Sequence, residues 1–174
     1  MIFKVFLRNV QDFVNYCRIS IISNVHPLIG GGKHMHVRSF QLSDYRPVSE
    51  LMASVLSETC YEETMEAFSR QLKWDSELVL VAEQESEIVG IIIGTIDRNR
   101  GYYYRVAVHP DHQRMGIGKT LIGALKQRFE QRNVTHIMIT ADEHNEPILS
   151  LYESLGYKAQ DFFRSIGKLA IVAG

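Results

Sequence analysis

Val106-Ala107-Val108-His109-Pro110-Asp111-His112-Gln113-Arg114-Met115-Gly116-Ile117-Gly118-Lys119-Thr120-Leu121 divides into three parts with different physical habits. Val106 to Val108 is an apolar run suited to a strand. Pro110 ends it, because proline has no N–H to give a ladder. A polar loop leads to Gly116 and Gly118, and there a helical period begins. Leu121, Ile122, Leu125 and Phe129 recur at spacings of one, three and four and stripe one helix face. The first turn of such a helix offers N–H groups without intrahelical acceptors at the positive end of its dipole, a natural anion site. The spacing is neither G-x-G-x-x-G nor G-x-x-x-x-G-K-[ST]. Dinucleotide-binding and Walker readings therefore fail, although Lys119-Thr120 looks like a Walker ending.

The rest of the chain is read outward from this stretch. With 174 residues, 45% of them apolar, it has the size of one domain with a full core. A net charge of −1 gives no general attraction to nucleic acid or to an anionic membrane. Cys17 and Cys60 form no metal or redox motif and suit a reducing, cytoplasmic setting. Residues 1–34 differ in character. They carry Lys4, Arg8, Arg18 and Lys33 against the single acid Asp12, and charge breaks their apolar run too often for a membrane span. Gly31-Gly32-Lys33-His34 precedes Met35, and glycine codons there spell a purine-rich ribosome-binding sequence. Residues 1–34 are thus read as an N-terminal extension or translated leader, and 35–174 as the functional domain.

From residue 35 onward, periodicity predicts a strand at His36–Phe40 and a helix capped by Ser43 or Asp44, with Val48, Leu51, Met52, Val55 and Leu56 at helical spacing. A second helix is expected over Tyr61–Trp74, with Met65, Phe68 and Leu72 inward and Glu58, Glu62, Glu63 and Glu66 on an acidic outer face. Leu78–Ala82 and Ile88–Ile96 form a hairpin, and Tyr102–Val108 follows after a second turn. Asn133 ends the helix that starts at Gly116. His136–Thr140 is a strand, Asn145–Leu155 a helix stopped by Gly156, and Tyr157–Phe163 with Lys168–Val172 a last hairpin. Tyr102-Tyr103-Tyr104 alternates, so one ring should face the core and another the cleft.

Two motifs carry a resemblance. Gln113-x-x-Gly116-x-Gly118 resembles the [QR]-x-x-G-x-[GA] pyrophosphate loop of the GNAT superfamily of N-acetyltransferases. Asn145 to Tyr157 resembles its N-x-x-A-x-x-L-Y-x-x-x-G-[FY] segment, with Ile148 in place of the small residue. The order of elements resembles the GNAT (acyl-CoA N-acyltransferase) α/β fold, a mixed central sheet flanked by helices that splays between its fourth and fifth strands. The resemblance implies an acyltransferase that moves an acetyl group from acetyl-CoA, its co-substrate, to a primary amine of a small molecule or peptide. It requires no metal, and a homodimer is possible. The alternative is a CoA-binding regulatory module without turnover. Val106, Ala107 and Val108 would receive the pantetheine as an added strand. Gln113, Arg114, Met115, Gly116, Ile117, Gly118 and Lys119 would hold the pyrophosphate, Asn145 the pantetheine arm, and Tyr152 would contact the cofactor and protonate the departing thiolate. Where some members place a glutamate base, this chain has Tyr104-Arg105 and Thr140, so ordered water is the expected base.

Overall fold

The computed structural model describes residues 34–141 and 148–164. The N-terminal extension before residue 34, Asn145, Pro147 and the expected strand Lys168–Val172 lie outside the described residues. The described elements are β1 (Met35–Ser39), α1 (Tyr45–Val55), α2 (Glu58–Asp75), β2 (Val79–Gln84), β3 (Glu87–Asp97), β4 (Arg100–Val108), α3 (Ile117–Gln131), β5 (His136–Ala141), α4 (Leu149–Ser154) and β6 (Phe162–Arg164). The strands form one mixed sheet in sequence order. β1 to β4 are antiparallel neighbours, while β5 runs parallel to β4 and β6 parallel to β5.

Alternation along the strands divides the core in two. Ile91 and Ile93 point to the side covered by α1 and α2, with Met52 and Phe68. Ile92 points to the other side, covered by α3, where the predicted stripe of Leu121, Ile122, Leu125 and Phe129 is buried. Both faces of β3 are therefore covered, which explains its unbroken apolar run. Two glycines let α3 lie close to the sheet. A Cβ on Gly94 would stand 2.6 Å from Leu125 Cδ2, and one on Gly101 would stand 2.8 Å from the Phe129 ring. Asn133 adopts φ +58° just past α3, and Gly156 adopts φ +90° past α4, the left-handed stops their positions predict.

Two local expectations are corrected. Neither Ser43 nor Asp44 caps α1 through its side chain, because a 3-10 turn over Leu42–Asp44 precedes that helix. The Asp44 carboxylate is instead held by Arg38 of β1 at 2.6 and 2.9 Å, and it accepts the Gln41 N–H at 2.8 Å. Arg38 also donates to Glu83 of β2 at 2.7 Å, so one guanidinium ties two strands to the turn. The second correction concerns Tyr157–Phe163. Asp161 accepts the Lys158 N–H at 2.7 Å and closes a 3-10 turn, so the strand is confined to Phe162–Arg164. α2 starts earlier than expected, at Glu58, with the Ser57 hydroxyl accepting from the Cys60 N–H.

The Arg38 guanidinium holds the Asp44 carboxyl below the usual carboxylate range. A lowered folded-state value gives stability that is present above the unfolded value near ~3.9 and is lost as pH falls through the folded one. Asp44→Asn should therefore cost about 1–3 kcal/mol at pH 7. The gap between variant and wild type should close in strong acid. Urea unfolding at neutral and acid pH checks both; a gap of constant size would remove Asp44 as its source.

Candidate active site

The site begins with one extra residue. Ile93 of β3 pairs with Arg105, but Gly94 pairs with Tyr103, so the register shifts by one residue and β4 bulges at Tyr104. A bulge bends its strand and adds twist. The parallel pairing of β4 with β5 ends at this level, its last rung being Tyr103 opposite Ile139. Beyond it, among the described residues, β4 continues to Val108 alongside β3 alone, and the sheet forks.

The orientation of the backbone in the fork follows from one bond. The His109 N–H donates to Val89 O at 2.9 Å, which makes Val108 and Gly90 a pair that exchanges no hydrogen bonds. The amide groups of Val108, and of Val106 two residues earlier, therefore face away from β3 into the fork. Those of Ala107 face Ile91. Of the three expected cofactor-contacting strand residues, Val106 and Val108 present backbone to the fork. Ala107 turns its methyl into the core against α1 and α2.

The loop from β4 to α3 is shaped by local bonds. His109 Nδ1 accepts the Asp111 N–H at 3.3 Å across a 3-10 turn over Pro110–His112. Gln113 Nε2 donates to Val108 O at 3.1 Å, so the Gln113 side chain pins the loop to the strand end. That side-chain role was not legible from the motif. Arg114 adopts φ +64° and Gly116 φ +83°. The first helical bond is from the Thr120 N–H to Gly116 O, and no side chain caps the helix, so the N–H groups of Ile117, Gly118 and Lys119 point out of its first turn. Arg114, Met115 and Lys119 are exposed around them, while the Ile117 side chain is buried. Gly118 allows close approach to α4, since a Cβ there would meet Leu151 Cδ2 at 3.2 Å.

Tyr152 of α4 lies on the α3 side of the sheet and is 2% exposed. Its ring stacks on Tyr103 at 5.7 Å and meets Tyr157 edge-on at 6.0 Å. The hydroxyls of Tyr103 and Tyr157 pair at 2.8 Å, and Tyr103 also donates to Ile122 O. Burial pushes the Tyr152 hydroxyl well above the ordinary tyrosine value, while the charge of Arg105 pulls it back. Sequence reading noted Arg105 only as a position without a carboxylate; its burial beside the bulge was not visible there. Of the tyrosine triplet, Tyr103 and Tyr104 are buried on opposite faces of the sheet and Tyr102 is half-buried. Among the described residues no group of three His, Cys, Asp or Glu side chains is placed to hold a metal. No described helix is long and apolar enough to cross a membrane.

Comparison with known proteins bears on this arrangement. Residues 46–157 match the model of the acetyltransferase (GNAT) family. An acetyltransferase from Yersinia enterocolitica is 34% identical over 138 residues, 79% of this chain and 97% of that one. One from Sodalis glossinidius is 33% identical over 137 residues, 79% of this chain and 96% of its own. In fold, the chain is similar to the PaiA N-acetyltransferase of Thermoplasma acidophilum solved with coenzyme A (TM-score 0.64, 20% identity, 78% of this chain and 94% of that one). It is also similar to a Brucella melitensis acetyltransferase solved with acetyl-CoA (TM-score 0.59, 21% identity, 74% and 86%).

The loop geometry makes two stability predictions of opposite sign. Gly116 has nothing within 4 Å of an added Cβ, so Gly116→Ala should cost about 1 kcal/mol from backbone strain alone. Arg114→Gly relieves strain at its neighbour and should cost nothing or stabilise slightly. Urea unfolding of the two variants checks the loop; equal losses would mean that the positive φ angles do not govern it.

Proposed function

This chain belongs to the acetyltransferase (GNAT) family, and we propose that it transfers the acetyl group of acetyl-CoA to a primary amine of a small molecule or peptide by direct attack. We place the reaction in the cytoplasm and assign it no metal. One observation supports this most: the edge of β4 that the fork leaves bare among the described residues leads straight into the amide-lined first turn of α3. A pantetheine arm is an amide chain and can add to that edge through Val106 and Val108. Its pyrophosphate then reaches the N–H groups of Ile117, Gly118 and Lys119, with the Gln113–Met115 loop around it and Lys119 and Arg114 adding charge. Asn145 is assigned to the pantetheine arm.

The amine nitrogen attacks the acetyl carbon, and the carbonyl electrons move to oxygen, where an N–H of the bare edge can receive them. Collapse breaks the C–S bond and leaves the electron pair on sulfur. The proton released from nitrogen passes to water. Tyr152 meets the sulfur. Its hydroxyl is held above the ordinary tyrosine value near ~10, whereas a thiol ionises near ~8.5. Full transfer of its proton to the thiolate is therefore uphill. The role assigned to Tyr152 is to donate a hydrogen bond to the developing thiolate, which takes its final proton from solvent.

Thiol release from acetyl-CoA across a panel of amines tests the activity; tight CoA binding with no turnover on any amine would favour the regulatory module. Tyr152→Phe should lower kcat by about tenfold or more, short of the full ~10²–10⁴ of general acid catalysis, with acetyl-CoA affinity nearly unchanged. Full kcat in the variant would make Tyr152 a packing residue only. Gly118→Glu should abolish CoA binding through its charge, with some loss of stability from the contact with Leu151. Gly123→Glu adds the same charge to an open site on the same helix and should leave affinity intact. Equal effects of the two would place the phosphates elsewhere.

A further inference from the structure

Among the described residues the open edge of β4 starts beyond its last rung with β5, Tyr103 opposite Ile139, and Val106 and Val108 turn their backbone groups to the fork. A strand edge repeats every two residues. An amide chain laid on it can therefore slide by about 6.8 Å and make the same kinds of bond again. Edge pairing alone does not fix where the far end of such a chain lies. Gln113 breaks this degeneracy. Its Nε2 donates to Val108 O at 3.1 Å. Val108 O can only accept, so the side-chain amide must present its nitrogen there. That nitrogen stands where the next N–H of an added chain would donate. The base of the side chain is fixed as well, because the Gln113 N–H bonds to Pro110 O at 3.2 Å on an unstrained backbone of φ −68° and ψ 159°.

We infer, on the pantetheine placement proposed above, that Gln113 is a positioning residue that sets the register of the acyl carrier: its amide closes the edge at Val108 O, so that one alignment of the carrier remains, with the thioester at the fork point. The loop motif would give Gln113 to the pyrophosphate, but its side chain reaches the other way, to the strand. A carrier shifted by two residues toward the loop would withdraw its thioester by about 6.8 Å. Attack needs reacting atoms about 3–3.5 Å apart, so the shifted carrier is bound but unreactive. Phosphates held at the first turn of α3 oppose the same slide. The contribution of Gln113 is therefore largest for a carrier that has none.

The test compares S-acetylpantetheine, which lacks the pyrophosphate, with acetyl-CoA on the full chain, with thiol release to an amine as the rate. Gln113→Ala opens Val108 O. With S-acetylpantetheine a second, unproductive register then competes, and kcat and KM should fall together by about twofold or more. With acetyl-CoA the loosened loop should raise KM by about threefold with little change in kcat. Gln113→Arg restores an N–H donor and should return the S-acetylpantetheine constants to those of wild type. A residue that only holds the loop would instead raise KM with both carriers. A readout that needs no acceptor uses pantetheine with a nitroxide joined to its sulfur as a thioether. Paramagnetic broadening of the backbone amide resonances should centre on the bulge of β4 in wild type and spread toward Val108 in Gln113→Ala. An unmoved centre, or a KM for S-acetylpantetheine that rises, would overturn the inference. So would broadening of β4 by nitroxide-labelled CoA but not by the labelled pantetheine. If labelled CoA broadens no β4 amide in wild type, the pantetheine placement itself falls, and the role of Gln113 with it.

Discussion

Between its rungs with Gly94 and Ile93, β4 carries one residue more than β3, and the site depends on that single mismatch. Without it β4 would stay in step with β3 beyond Gly94, and nothing at that level would bend the strand away from β5. With it, the strands share four rungs and then part. Among the described residues the parting leaves a strand edge bare. Proteins normally cover or charge such edges, because unpaired backbone groups recruit whatever can pair with them. Here the recruit is assigned to be a cofactor whose arm has the hydrogen-bonding groups of a peptide. The same bend carries the end of β4 toward the first turn of α3, so the two halves of the proposed cofactor site come from one continuous stretch of chain.

That continuity explains how much could be read without coordinates. The apolar run, the proline stop, the paired glycines and the helical stripe are all local, and local signals survive in sequence. The core stripe Leu121–Phe129 and the stops at Asn133 and Gly156 stand where the spacing puts them. The bulge was not legible, because it is a relation between β4 and β3 and neither strand alone records it. The capping of α1 was misread for a similar reason. Asp44 is well placed to cap a helix, but Arg38 on a neighbouring strand takes the carboxylate first. Gln113 was read as a loop residue, and only the fold shows its amide pinning the strand end. The partial strand at Tyr157–Phe163 failed where Asp161 folds back on Lys158, a choice that local polarity does not reveal.

The two cores serve different ends. The side under α3 holds the aromatic group of Tyr103, Tyr152 and Tyr157, which fixes the helix bearing the assigned hydrogen-bond donor against the strand that borders the fork. The side under α1 and α2 holds Tyr104 and Ala107 and anchors the bulge from behind. The acidic face of α2 is exposed at Glu58, Glu62 and Glu66, with Glu66 paired to Arg70. That is the pattern of a solvated helix surface.

The connections also set an order of assembly. β2, β3 and β4 are joined by two-residue turns, and Glu85 and Ser86 both take the positive φ angles of a tight hairpin. Those contacts close over short loops, which cost little entropy and form fast. β5 joins only after the chain has travelled through residues 109–135, and β6 only after another crossover. The fork therefore lies on the boundary between an early-forming half of the sheet and a late-forming one. A ligand bridging it spans two units that open with different free energies, so amide exchange in β5 and β6 reports occupancy of the cleft more sensitively than exchange in the hairpins.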